Sequence, residues 1–326
     1  MPARGGRQSL GRVPDLALAS GRGILYGGGS AVTALRCRRP GRPYNLGGIS
    51  PEAVSLFQWK VAVSDYLEVC ENAVRRAGAV LLNQIGRAQV RLKGPADFVT
   101  DADIAAQEAI RQTVLGAFPD HALVSEEDGP GQAASAPAGP YRWIADPLDG
   151  TTNFVHQVPF FSVSLALERS GQLLVGAVYD PSADECFTAA AGKGAFRNGS
   201  PIRASQVGSL GDALASAGFP VVVHPESADL RMFLEAVGVC QSLRRTGSAA
   251  LNLAYVAAGR FDAAWSFSTK IWDVAAGALL IREAGGVVVA SDGRSSPLKD
   301  GTYLAAATPQ LHAELVELAR RIGGRK

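Results

Sequence analysis

A chain of 326 residues, 47% of them hydrophobic, has material for one large domain or two modest ones. No apolar run reaches the ~18 residues that span a bilayer, so a soluble protein with no membrane partner is expected. Net charge is +2, but residues 1–50 hold eight Arg against Asp15, or +7, which leaves −5 on the rest. A mildly acidic body offers no broad basic footprint for nucleic acid.

Residues 1–55 are rich in Gly, Arg and Pro, lack sustained periodicity and read as a disordered extension. Arg-rich, acid-poor composition also suits an organelle transit peptide. A flexible tail or a start codon assigned too early is the favoured reading, with a cytoplasmic location. Cysteines 37, 70, 186 and 240 form no Cys-x-x-Cys pair, so neither a disulfide framework nor a zinc site is expected.

Ordered structure is expected from about Ser64 or Asp65, where Leu67, Cys70, Val74, Ala77 and Leu81 mark one apolar helical face. Lys93-Gly-Pro-Ala-Asp-Phe reads as a turn. A second helix runs from Asp101 towards Ala117, with Ile104, Ile110 and Val114 as core candidates, and Pro119-Asp120 stops it. Two short apolar runs follow, each ending in acid: Ala122–Ser125 leads into Glu126-Glu127, and Tyr141–Ala145 leads into Asp146. Side-by-side strands would bring Glu126 and Asp146 to one sheet edge. Residues 129–140 between them read as a surface loop. Ser162–Glu168 and Leu173–Tyr179 flank Ser170-Gly171, a hairpin signature, and Glu185–Ala189 adds a strand before the turn Gly192-Lys193-Gly194. The first half is thus two helices on a largely antiparallel sheet. In the second half, Ser248–Ala258 is a helix stopped by Gly259, Phe261–Phe267 a strand, and Asp273–Ala284 a helix ended by Gly285-Gly286. Val287–Ala290 is a strand, and Leu311, Leu315, Leu318 and Ile322 mark a final helix.

The chemistry gathers in Trp143-Ile-Ala-Asp146-Pro-Leu-Asp149-Gly-Thr-Thr-Asn-Phe154. Two carboxylates split by a proline, just after an apolar strand, can hold a hard cation. Magnesium takes oxygen ligands in near-octahedral geometry. Two such ions about 4 Å apart can activate a water and stabilise a leaving oxygen. Glu126, Asp146 and Asp149 supply carboxylates, and the bend at Pro147 turns the Leu148 carbonyl into a natural further ligand. If a helix starts at Gly150-Thr151, its free N–H groups form an anion seat. Gly150 permits close approach, and the Thr151 hydroxyl can orient a water. Taken alone, Asp-Pro-x-Asp-Gly reads equally well as a turn with an Asp helix cap. The histidines at 121, 156, 224 and 312 form no pair at metal spacing, and no Gly-x-Ser-x-Gly supports a serine hydrolase.

The run from Trp143 to Phe154, with Val158-Pro159-Phe160 after it, resembles the signature of the inositol monophosphatase family. Trp272-Asp273-Val-Ala-Ala-Gly277 with Glu283-Ala-Gly-Gly286, Asp97–Asp103, Ser125-Glu126-Glu127 and Gly247–Asn252 match further blocks, in order, across about residues 60–320. The resemblance implies an α/β (α+β) fold, a layered αβαβα sandwich over residues 60–322 with subdomains of about 60–200 and 201–322. It implies hydrolysis of a phosphomonoester on a small phosphorylated metabolite, dependent on two or three Mg²⁺ ions and sensitive to lithium, in a homodimer. By the same resemblance, Glu126, Asp146 and the Leu148 carbonyl hold one metal, and Asp146, Asp149 and Asp273 another. Glu126 and Thr151 position the attacking water, Asp103 polarises Thr151, and the Gly150 and Thr151 amides bind phosphate. Lys93 is an electrostatic support near the metals. By themselves, Asp273 reads as a helix cap and Asp103 as a first-turn acid.

One position departs from the family. Inositol-selective members usually carry a glutamate about seven residues before the Trp-Asp aspartate; here that position is Ser266. The metal ligands are unaffected, but substrate choice is opened, with Asp149 and the Ala249 backbone left to contact the alcohol. Inositol monophosphate or a similar sugar or polyol phosphate is the leading substrate. A 3′(2′),5′-bisphosphate nucleotidase, a fructose-1,6-bisphosphatase, a histidinol-phosphate phosphatase and a non-catalytic metal-binding scaffold are the alternatives.

Overall fold

The computed structural model describes residues 51–94, 97–128 and 139–323. The expected extension up to residue 50 and most of the expected loop 129–140 lie outside the described residues.

Helix α1, Pro51–Gln84, starts well before the expected Ser64. Its buried stripe is the expected one: Cys70, Val74, Ala77 and Leu81 are fully enclosed. A hairpin follows, β1 (Val90–Gly94) and β2 (Asp97–Thr100), where a turn alone was expected. Helix α2 spans Asp101–Ala117, capped by the Thr100 hydroxyl through the Ala102 N–H. Its inward face is Ala102, Ala106, Ile110 and Val114. Ile104, expected inside, is 55% exposed. The reason is the stripe: 102, 106, 110 and 114 recur every four residues, and 104 projects to the other side.

The first large sheet is built from β3 (Ala122–Ser125), β4 (Tyr141–Asp149), β5 (Ser162–Arg169), β6 (Gln172–Asp180), β7 (Glu185–Ala190), β8 (Ala195–Arg197) and β9 (Ser200–Ile202), in that spatial order. β3 and β4 are parallel, and the rest meander antiparallel. Ser170-Gly171 makes the expected β5–β6 turn with both residues at positive φ. Asn198-Gly199 does the same between β8 and β9. The short helix α3, Thr151–Val155, follows β4 directly.

The second sheet contains β10 (Leu214–Ala217), β11 (Ser242–Arg244), β12 (Ala263–Ser266), β13 (Val287–Val289) and β14 (Tyr303–Ala306), ordered β11-β10-β12-β14-β13. The chain also forms α4 (Ala228–Val237), α5 (Ala249–Ala257), α6 (Ile271–Glu283) and α7 (Pro309–Gly323). Three apolar clusters define the layering. One joins α1 and α2 to one face of the first sheet through Trp143, Val163 and Leu165. A second places α5 and α6 between Ile144 and Ala166 of the first sheet and Ala264 and Tyr303 of the second. A third covers the second sheet's outer face with α4 and α7 around Trp265, Met232 and Leu315. The result is the expected αβαβα sandwich.

The central helix pair is packed without slack. A Cβ on Gly277 of α6 would lie 2.4 Å from the Leu253 Cβ of α5, whereas one on Gly116 of α2 would meet nothing within 4 Å. Gly277→Ala should therefore destabilise the protein by about 1–3 kcal/mol through overpacking. Gly116→Ala should stabilise it by about 0.5–1 kcal/mol through helix propensity. Urea unfolding of both variants checks this pair; equal midpoints would contradict it.

Candidate metal centre

The site begins with a parity problem. Side chains three apart on a regular strand point to opposite faces. Asp146 and Asp149 do not, because β4 carries a bulge: Asp146 pairs with Ser164 and Asp149 with Ser162, so the extra residue restores a common face. Pro147 sits in that bulge, where its missing N–H breaks no ladder. Beside it, β3 has already ended, with Ser125 opposite Ala145. The chain after β3 puts Glu126 next to Asp146, its N–H donating to the Ala145 carbonyl at 3.2 Å.

Asp273 reaches the same place from the first turn of α6, where its carboxylate accepts the Lys270 N–H at 2.7 Å. Carboxylate oxygens of Asp146, Asp149 and Asp273 lie within 4.8 Å of one another. Asp146 and Asp149 are buried, and Asp273 is half-buried. Burial raises Asp146 well above the usual carboxylate range, and the charges of Glu126, Asp149 and Asp273 add to the effect. Burial, then Asp149, pushes Asp273 up to about 7. Burial also raises Asp149, but hydrogen bonds from Ser248, Ala250, Ala249 and Ser162 oppose it.

Those bonds come largely from one helix N-terminus. The Ser248 hydroxyl, which caps α5 through the Leu251 N–H at 3.2 Å, donates to Asp149 Oδ2. The Ala250 N–H donates to the same oxygen at 2.8 Å, and the Ala249 N–H reaches Oδ1 at 3.2 Å. Ser162 Oγ completes the shell at 3.4 Å. The Ala249 N–H is thus turned to Asp149.

Thr151 opens α3. Its hydroxyl lies 3.1 Å from the Leu148 carbonyl and 3.5 Å from Asp103 Oδ1. Asp103, 1% exposed, uses Oδ2 for the Thr100 N–H at 2.8 Å and the Thr100 hydroxyl at 2.6 Å. The Leu148 N–H returns to Asp146 Oδ1 at 3.0 Å. Gly150 is left-handed at φ 95°, and a Cβ there would lie 3.2 Å from the Gly247 and Phe160 carbonyls. The structure therefore gathers Glu126, Asp146, Asp149 and Asp273, and sets Thr151 and Asp103 beside them. Ser266 is fully buried at the end of β12, with its hydroxyl 3.3 Å from that of Ser268. Lys93 lies in β1, and its side chain is outside the described residues. Sequence reasoning did not single out Ser248 and Ser162. Ser248 had a local signal, a serine before an apolar helix; its acidic partner lies 99 residues away.

Three carboxylates raised by burial, Asp146 and Asp273 further by neighbouring charge, form an oxygen donor set that fits a hard divalent cation. Asp273 ionises near 3.8 when unfolded and about 7 when folded. The folded state therefore holds more protons between those values, and its stability falls as pH rises through them. In EDTA, the melting temperature should drop between pH 5 and pH 8. Added Mg²⁺ should shrink that drop; an equal drop with and without the ion would contradict it.

Residues 62–323 match the model of the inositol monophosphatase family. An inositol-1-monophosphatase of Rhizobium meliloti is 43% identical over 75% of this chain and 92% of its own length. The Nus factor SuhB of Pseudomonas aeruginosa is 42% identical over 77% and 95%. Among solved structures, the extragenic suppressor protein SuhB of Bartonella henselae aligns with a TM-score of 0.71 at 36% identity, covering 82% of this chain and 99% of that one. The Thermotoga maritima IMPase aligns at 0.72 and 33%, covering 79% and 98%. The chain belongs to the inositol monophosphatase family, whose members are phosphomonoester hydrolases.

Proposed function

We propose that the protein is a Mg²⁺-dependent phosphatase acting on inositol monophosphate or a similar sugar or polyol phosphate. The observation that carries this reading is the Asp146–Asp149–Asp273 cluster, set beside the uncapped start of α3. Glu126, Asp146 and the Leu148 carbonyl would hold one ion, and Asp146, Asp149 and Asp273 a second. Bound there, magnesium supplies Lewis-acid polarisation of the phosphate ester.

The chain's own groups do the rest. Glu126 and Thr151 position the attacking water. The Thr151 hydroxyl, with its one proton directed to the Leu148 carbonyl on the side of Asp103, keeps oxygen lone pairs for that water. The first N–H groups of α3 lack intrahelical acceptors, and Gly150 has no side chain to cap them. They are the phosphate seat of this reading. Lys93 is proposed as an electrostatic support. Position 266 is proposed to influence the choice of alcohol, because serine offers a short neutral hydroxyl where a carboxylate would grip a polyol.

The acidic balance of the body favours a small phosphorylated metabolite over nucleic acid as partner. No helix among the described residues is long and apolar enough to cross a membrane. The resemblance supports a homodimer, lithium sensitivity and a cytoplasmic location.

Asp149→Asn keeps the shape of the side chain and removes one charge from the cluster. Its phosphate release should fall by more than the ~10–100-fold typical of losing an outer partner. Unchanged turnover would rule the mechanism out. A panel of inositol 1-phosphate, fructose 1,6-bisphosphate, 3′-phosphoadenosine 5′-phosphate and histidinol phosphate, assayed with Mg²⁺ and with added Li⁺, tests the substrate class. Negligible release from inositol 1-phosphate beside rapid release from another ester would overturn the inositol assignment.

A further inference from the structure

Asp149 is oriented by the segment Thr246–Ala250, and that segment is itself gripped from two sides. On one side stands Asn153 of α3. Its carboxamide Nδ2 donates to the Phe160 carbonyl at 2.6 Å and to the Thr246 carbonyl at 2.8 Å. Both amide hydrogens therefore go to main-chain oxygens, one 7 residues away and the other 93. Gly247 lies flat on this carboxamide: at φ 96°, a Cβ there would be 2.7 Å from Nδ2. On the other side stands Asn252 of α5, 1% exposed, whose Oδ1 accepts the Thr246 hydroxyl at 2.7 Å. The Asn252 N–H also bonds the Ser248 carbonyl at 3.2 Å.

We propose that Asn153 and Asn252 are positioning residues that clamp the loop through Thr246, and that this clamp sets the orientation of Asp149 for metal binding. The path is short. Thr246 is held by both carboxamides, Gly247 presses on Asn153, and Ser248 donates to Asp149 Oδ2. Oδ2 receives Ser248, Ala250 and, at greater length, Ser162, while Oδ1 receives the Ala249 N–H. The loop thereby decides which carboxylate oxygen faces the cluster. The same carboxamide ties the loop to α3, two residues after Thr151, so the water-side hydroxyl and the metal-side carboxylate share one brace.

The inference rests on the reading of Asp149 as a metal ligand, and its test separates the two. Thr246→Val is nearly isosteric and deletes the hydroxyl; Thr246→Ser retains it. Asn153→Asp keeps the shape but sets a carboxylate against two carbonyls. Apo protein is titrated with Mg²⁺ by calorimetry, and the Mg²⁺ concentration for half-maximal phosphate release is measured alongside melting temperature. Thr246→Val and Asn153→Asp should weaken Mg²⁺ binding by about 10-fold or more, within the range for partners that orient a ligand. Thr246→Ser should stay within about 2-fold of the parent by the same measure. Weakened binding in Thr246→Val at an unchanged substrate KM under saturating Mg²⁺ supports the clamp. Parent-like Mg²⁺ binding in Thr246→Val overturns it, as does an equal loss in Thr246→Ser. If Asp149→Asn itself binds Mg²⁺ and turns over like the parent, the metal-ligand reading fails instead.

Discussion

Holding Asp146, Asp149 and Asp273 within 4.8 Å of one another is the constraint on which the rest of this structure depends. Like charges at that spacing, out of water, oppose folding unless they are protonated, hydrogen-bonded or neutralised by a cation. The fold uses a separate device for each. A bulge around Pro147 turns Asp146 and Asp149 to one face. The start of α5 supplies two N–H groups and a serine hydroxyl to Asp149. The start of α6 supplies Asp273, tied back to the Lys270 N–H. Because α5 and α6 form the middle layer, both helix starts can meet a strand end of the first sheet.

Helix N-termini are used in two different ways here. Those of α2, α4 and α5 are capped by Thr100, Ser227 and Ser248. In α2 and α6 an acid in the first turn, Asp103 or Asp273, also bonds back to the cap backbone. Such caps satisfy donors that a helix otherwise leaves open. α3 is the exception among these: Gly150 has no side chain to offer, and its left-handed φ of 95° starts the helix directly after Asp149. A Cβ there would stand 3.2 Å from the Gly247 and Phe160 carbonyls, a tight contact added to the strain of the left-handed φ. At α3, beside the carboxylates, no side chain caps the first donors, which is the arrangement the proposed phosphate seat requires.

Much of the fold was readable because its elements carry strong local patterns. Cys70, Val74, Ala77 and Leu81 announce a helix face, and Ser170-Gly171 announces a hairpin. Where reading failed, the buried surface was made of small residues or the order came from neighbours. Ile104 drew attention as a large apolar residue, but the buried stripe of α2 begins with Ala102 and Ala106, which a search for bulk passes over. The strand Leu214-Ala-Ser-Ala217 has little intrinsic strand preference. It is a strand because β11 and β12 pair with it on both sides. Asn198-Gly199 carried as clear a turn signal as Ser170-Gly171, but flanks strands of only three residues. At the site, the acids stand in recognisable runs, whereas the groups orienting them are neutral. Asn153, Thr246 and Asn252 become legible only when chain segments 93 residues apart are seen in contact.

The proposed metal centre and the position proposed to influence substrate choice lie on different elements. The carboxylates belong to the end of β4 and the start of α6, and Asp149 is held by α5. Ser266 instead ends β12, where the following turn is satisfied from within. Ser266 and Ser268 pair their hydroxyls, and Asp229 of α4 takes the Phe267 N–H at 2.8 Å. Burial raises Asp229, while bonds from Phe267 and Ser268 counter that rise. No ligand of the cluster takes part in this network, so a change at position 266 can alter the polarity of the turn without moving Asp146 or Asp149. A carboxylate introduced there would set a second acid beside Asp229 in a buried turn, which the neutral serine avoids. On the proposed reading, the same frame is retained while demand on the alcohol changes, as expected when a function is grafted on a fold as a local site.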